Sequence, residues 1–122
     1  AGVTTVADTG DSGAVIQALA ELGGRGVCYH EVFGPHPGQV EESMAGLRAA
    51  VAALRPLEVP GRLHIGVSHH APYTVSGDLY REVGKWAREE GLPLAVHLAE
   101  SAEESSLLRD GIGGFADAWA KR

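Results

Sequence analysis

The sequence predicts an α/β protein, a parallel sheet with helices packed outside it. Three observations carry this. Short runs rich in β-branched residues alternate with longer stretches whose apolar residues recur at helical spacing. The alternation repeats about four times at roughly 30 residues a unit, the length of a strand, a crossover helix and their turns. Glycine accounts for 17 of the 122 residues and falls largely between these runs, where tight turns require it.

The first unit opens with a strand over residues 2–9, where Val3, Thr4, Thr5 and Val6 favour extended backbone. Gly10-Asp11-Ser12-Gly13 interrupts it and offers Asp11 or Ser12 as N-cap. The helix that follows, Ala14–Leu22, carries Val15, Ile16, Leu19 and Leu22 on one stripe, and Gly23-Gly24 stops it. In the second unit a strand over residues 26–33 leads into a loop over residues 34–38. Val40, Met44, Leu47, Val51 and Leu54 then mark an amphipathic helix, closed by Pro56 and Pro60. The third unit is a strand over Leu63–His69 and a helix over residues 76–90, stopped by Gly91. The fourth is a short strand over residues 93–97, after which Ser101 and Glu104 have the spacing of a capping box that opens a helix. The run 111–114 breaks that helix, and residues 115–121 begin another.

Two closures fit such a chain: an open, doubly wound, flavodoxin-like sheet, or part of a (β/α)8 barrel. Strand parity separates them. Leu63, Ile65 and Val67 share one face of the third strand, and His64, Gly66, Ser68 and His70 share the other. Leu94 and Val96 are likewise set against Ala95 and His97. A sheet covered by helices on both sides is apolar on both faces. One apolar face and one small, polar face suits a barrel with a site at its mouth. A full barrel takes roughly 250 residues, so the expectation is a partial barrel of about four consecutive βα units.

Composition narrows the function. Ten Lys and Arg against sixteen Asp and Glu give a net charge of −6, which argues against a nucleic-acid partner. At 44% apolar and 21% charged residues the chain has a globular composition. Its single cysteine, Cys28, excludes an internal disulfide and any cysteine-rich zinc site, and mid-strand it reads as a small buried hydrophobe. No apolar run approaches the roughly 18 residues that span a bilayer. No basic segment precedes an apolar one as in an export signal, so the cytoplasm is the expected compartment and no membrane partner is expected. The Gly-Lys-Ser/Thr ending of a phosphate loop, the Gly-x-Ser-x-Gly elbow and the Pro-Cys-x-x-Cys signature are all missing from the sequence.

The residues suited to chemistry lie at strand ends. His97 closes the fourth strand, where barrel enzymes place catalytic groups. Glu100 converges on it only if the chain turns after Leu98. An imidazole and a carboxylate so placed suit metal binding and proton transfer; the alternative is a satisfied core histidine beside a loop acid. His70 faces the barrel interior by parity and suits substrate binding, or else caps strand-end carbonyls. Tyr29, Glu31 and Phe33 share one face of the second strand, and Glu31 reads more readily as a surface carboxylate. Asp8 reads as a capping residue, and His30 and His36 have no partner at ligand spacing.

Gly2-Val3-Thr4-Thr5-Val6-Ala7-Asp8, His70-Ala71-Pro72-Tyr73-Thr74-Val75-Ser76 and His97-Leu98-Ala99-Glu100-Ser101 resemble three motifs, in order, of the amidohydrolase superfamily. The branch is that of triazine chlorohydrolases, guanine and cytosine deaminases, and adenosylhomocysteine and aminodeoxyfutalosine deaminases. Residues 25–34 resemble its third-strand segment. The resemblance spans nearly the whole chain and assigns it to strands 2 to 5 of the barrel. It implies a metal-dependent hydrolase of C–N bonds other than peptide bonds, most simply a deaminase of a purine or related heterocycle using a metal-activated water. His97 would be a metal ligand, Glu100 the catalytic acid/base and His70 a substrate-binding residue, with Zn²⁺ the expected ion and a small heterocycle the expected partner. The family's His-x-His pair and its later His and Asp ligands have no counterpart here. Zn²⁺ takes about four ligands, so residues 1–122 are read as one partial domain, truncated at both ends and inactive alone. The alternatives are a chlorohydrolase of the same family, a flavodoxin-like ligand-binding domain, and a non-catalytic half-barrel that covers its sheet edges as a homo-oligomer.

Overall fold

Each expected strand–helix unit is present in the computed structural model, which describes residues 2–121. In chain order they are β1 (Val6–Gly10), α1 (Ala14–Leu22), β2 (Gly26–Val32), α2 (Val40–Leu54), β3 (Leu63–His69), α3 (Gly77–Glu90), β4 (Leu94–Val96), α4 (Ala102–Asp110) and α5 (Gly114–Ala120). The strands pair in sequence order, every neighbour parallel. Together they form a curled half-barrel.

The helices explain the curl. The apolar cluster takes Cys28 and Val32 from β2 and Leu63, Ile65 and Val67 from β3, all pointing one way. Ile16 of α1, Met44, Leu47 and Val51 of α2, and Leu79 and Val83 of α3 close over them. Fully burying a side chain such as Leu79 contributes about 1.5–3 kcal/mol, so this face holds the sheet. The opposite face carries Tyr29, Glu31, Gly66 and Ser68, and none of them belongs to the cluster. Helices packed on one face exclude the open, doubly wound alternative.

Local departures from the sequence expectation have physical causes. β1 begins at Val6 rather than at residue 2, because its partner strand among the described residues begins at Gly26 and Val6 is paired with it. The N-cap of α1 is Gly13, without a side-chain bond, so neither Asp11 nor Ser12 caps it. Inside the loop after β2, His36 accepts the Gly38 N–H at 3.0 Å and caps a single 3-10 turn. Cys28 is buried as expected, and burial together with the Asp8 charge pushes its thiol above the usual range. Leu94 and Val96, on the apolar face of β4, remain partly exposed. No helix of the described residues is long and apolar enough to cross a membrane.

Candidate active site

The candidate residues gather at the C-terminal end of the sheet because its hydrogen bonding continues beyond the strands. His70 N–H donates to the Val32 carbonyl at 3.4 Å, and His97 N–H to the His70 carbonyl at 2.8 Å. Both histidines are thereby fixed by backbone. Their rings stand 5.0 Å apart, centroid to centroid.

His70 is held from two sides. Its Nδ1 lies 2.8 Å from the Thr74 hydroxyl, which itself donates to the Ala71 carbonyl at 3.1 Å. A hydroxyl already donating must accept from the imidazole, so Nδ1 carries the proton and Nε2 of the neutral ring keeps a free lone pair. Phe33 and Tyr73 flank the ring, at 4.7 and 5.9 Å. His69, one residue earlier, points to the helix layer and stacks on Tyr80 of α3 at 4.3 Å.

His97 meets two carboxylates. Its Nε2 lies 2.8 Å from Glu31 Oε1, and its Nδ1 4.0 Å from Glu100 Oε1. Glu31 is therefore not a surface carboxylate: its side chain is 11% exposed and reaches over the concave face to the far histidine. Glu100 turns back because the chain bends at Ala99, whose φ of 60° is left-handed. Tyr73 donates its hydroxyl to Glu100 Oε2 at 2.7 Å, and this bond holds the phenol above its usual pKa. Phe115 stacks flat on Tyr73 at 4.4 Å, and Trp119 Nε1–H donates to the Tyr73 carbonyl at 2.9 Å. In this way α5 supports the tyrosine that grips Glu100.

The capping box forms only in part. Ser101 accepts the Glu104 N–H at 3.1 Å, as expected. The Glu104 carboxylate passes the cap, however, and accepts the N–H groups of Ala99 at 2.9 Å and Glu100 at 2.7 Å.

As a cation site, Glu31, His70 and His97 each present a ligand atom, all within 4.8 Å of one another. An oxygen and two imidazole nitrogens suit a borderline divalent ion such as Zn²⁺, one ligand short of its usual four. The residues present thus fit a metal. A recess of about 290 Å³ lies elsewhere on this rim, between Pro35, His36, Pro37, Ser76, Gly77 and Trp119. None of Glu31, His70, His97 and Glu100 lines it.

Comparison with known proteins agrees with the fold. Residues 1–118 match the Amidohydrolase family. The aminodeoxyfutalosine deaminase of Deinococcus radiodurans is 41% identical over 92 residues, covering 75% of this chain and 22% of that protein. A 5'-deoxyadenosine deaminase of Methanoregula boonei is 33% identical over 89 residues, covering 72% and 20%. The 5-methylthioadenosine/S-adenosylhomocysteine deaminase of Shouchella clausii is 31% identical over 87 residues, covering 71% and 20%. The chain thus spans about a fifth of the length of these relatives. The crystal structure of Helicobacter pylori aminofutalosine deaminase superposes on 98% of the chain and 29% of its own, with a TM-score of 0.81 at 24% identity.

Proposed function

Because the chain belongs to the amidohydrolase family, we propose that residues 1–122 are an internal segment of a longer metal-dependent hydrolase that deaminates a purine nucleoside or related heterocycle. One observation carries the reading: Glu31, His70, His97 and Glu100 converge at the C-terminal end of a parallel half-barrel, where such enzymes do chemistry. In the reaction a C–O bond forms from water, the C–N bond breaks, and the amino group leaves as ammonia.

Each residue has a part that its surroundings support. His97 would hold the ion, in our reading Zn²⁺, with its ring oriented by the Glu31 carboxylate as ligand histidines generally are. When bound, the ion supplies an acidified water of pKa about 7. Glu100 would move protons, its carboxylate held by the Tyr73 hydroxyl and lying 4.0 Å from His97 Nδ1. His70 offers its free Nε2 to a substrate N–H, and the flanking Phe33 and Tyr73 give a planar base an aromatic edge. Glu31 and His70, which also lie within reach of a cation, serve in this reading to orient His97 and to bind substrate, so His97 is the ligand this segment supplies and the others come from outside residues 1–122. The same reading places the protein in the cytoplasm, with a small heterocycle as partner and a homo-oligomeric state that sedimentation of the full-length protein tests.

The test is ammonia release by the full-length, metal-loaded protein from 5'-deoxyadenosine and 5'-methylthioadenosine. Glu100→Gln should keep its metal and lose about 10²–10⁴-fold in turnover, the usual worth of a general acid or base. His97→Ala should lose metal as well. Near-normal turnover by Glu100→Gln would reduce the carboxylate to a loop acid and end the proposed mechanism.

A further inference from the structure

Glu104 has a carboxylate where carboxylates seldom lie, fully buried. No cationic side chain pairs with it among the described residues. Its partners are backbone: the N–H groups of Ala99 and Glu100, one on each oxygen. It is also the third residue of α4, where the helix dipole favours negative charge. A simpler capping box would satisfy the helix end without reaching past Ser101.

We infer that Glu104 is a positioning residue for Glu100, its buried carboxylate clamping the Ala99–Glu100 backbone so that the Glu100 side chain turns toward His97. The bend at Ala99 lies in a region that residues with a side chain avoid, so it needs an outside constraint. The Glu104 carboxylate supplies one at the residue that bends and at the residue that reacts. Beyond this, Glu100 is held by Tyr73, which fixes the tip of the side chain but not its root. Root and tip together define one placement.

The inference rests on the reading of Glu100 as acid/base, and its test separates the two. The variants Glu104→Gln, Glu104→Asp and Glu100→Gln, and the double variant Glu100→Gln/Glu104→Gln, are made in the full-length protein. Ammonia release from 5'-deoxyadenosine is followed with metal bound, and amide hydrogen exchange without metal. In Glu104→Gln an amide N–H faces a backbone N–H, so one hydrogen bond is lost and a buried donor is left open. Turnover should fall about 10–100-fold, as for other supporting groups around metal sites, with KM within about twofold. Exchange of the Ala99 and Glu100 amides should accelerate at least about tenfold, and Glu104→Asp should recover part of both losses. In the Glu100→Gln background the same change should cost almost nothing in turnover. Should Glu104→Gln fail to fold, the Asp variant carries the same comparisons at smaller amplitude. Wild-type turnover in Glu104→Gln, or an equal loss with and without Glu100, overturns the positioning role. A Glu100→Gln variant as active as wild type overturns the reading beneath it instead.

Discussion

Gly66 sits mid-strand in β3 on the concave face, and alanine there should be expensive. A Cβ at Gly66 would stand 2.6 Å from Tyr29 Cδ1 and 2.8 Å from the Pro93 carbonyl oxygen, where ordinary contact begins near 3.4 Å. The tyrosine ring is half-buried and can swing into the open mouth. The carbonyl cannot follow, because it accepts the Val67 N–H at 2.9 Å and so joins β4 to β3. Relief from 2.8 to 3.4 Å must therefore come from β4, stretching that hydrogen bond and displacing the strand that ends in His97. A weakened hydrogen bond costs about 0.5–1.5 kcal/mol and overpacking typically costs 1–3 kcal/mol, so we expect about 1–3 kcal/mol in all. Gly46 is the control: it lies exposed inside α2 with nothing within 4 Å of an added Cβ. Gly46→Ala should stabilise by about 0.5–1 kcal/mol through helix propensity alone. Urea unfolding of the full-length protein, comparing midpoints at unchanged slope, measures both. Two shifts of the same sign, or a Gly66→Ala cost below about 0.5 kcal/mol, would refute the claim that β4 is seated through this contact.

Ala99→Gly relieves a left-handed residue worth about 1–2 kcal/mol against a glycine entropy cost of about 0.5–1 kcal/mol. It should leave thermal stability unchanged or raise it, and a fall of more than 1 kcal/mol would show that the bend is not strained. Burial holds the folded pKa of His69 below its ordinary value of 6.5, so the folded state binds fewer protons than the unfolded one. Stability from this residue is complete above pH about 6.5 and declines as the pH falls below it. His69→Phe keeps the stack on Tyr80 and should flatten the decline in melting temperature on acidification; an unchanged slope would assign it to other groups. His30, also shifted down by burial, should leave a residual slope of the same sign.

Much of the architecture was legible in the sequence because each signal was local. The spacing of Val40, Met44, Leu47, Val51 and Leu54 marks α2 to the residue, since amphipathic spacing is a property of one helix. The alternation 63–67 against 64–68 forecast a one-sided core, since strand parity is a property of one strand. The false start of β1 shows the limit. Val3, Thr4 and Thr5 have strand propensity, but a strand exists only where a neighbour offers hydrogen bonds, and β2 offers them from Gly26 onward.

The site was legible as residues and illegible as contacts, and Glu31 shows why. It lies 66 positions from His97 and two strands away. In a flat sheet the two interstrand spacings alone come to about 9.5 Å, beyond an ion pair. Curling shortens the distance on the concave side, and the register places Ser68 beside Glu31 on β3 and Ala95 beyond it on β4, two residues before His97. Both are small. The glutamate can therefore lean across β3 and reach the imidazole at 2.8 Å, which leucine or phenylalanine at position 68 would prevent. The inward parity of Glu31 and the smallness of Gly66 and Ser68 were each visible in the chain. Joining them required knowing that β2 and β4 flank β3 in register, a fact carried by no single segment. Glu104 escaped for a related reason: spacing assigned its side chain to the helix end, whereas the left-handed bend at Ala99 turned two other N–H groups toward it. Long side chains at the rim of a curled sheet choose partners by three-dimensional proximity, so a carboxylate whose parity points inward over small neighbours is best read as a reacher.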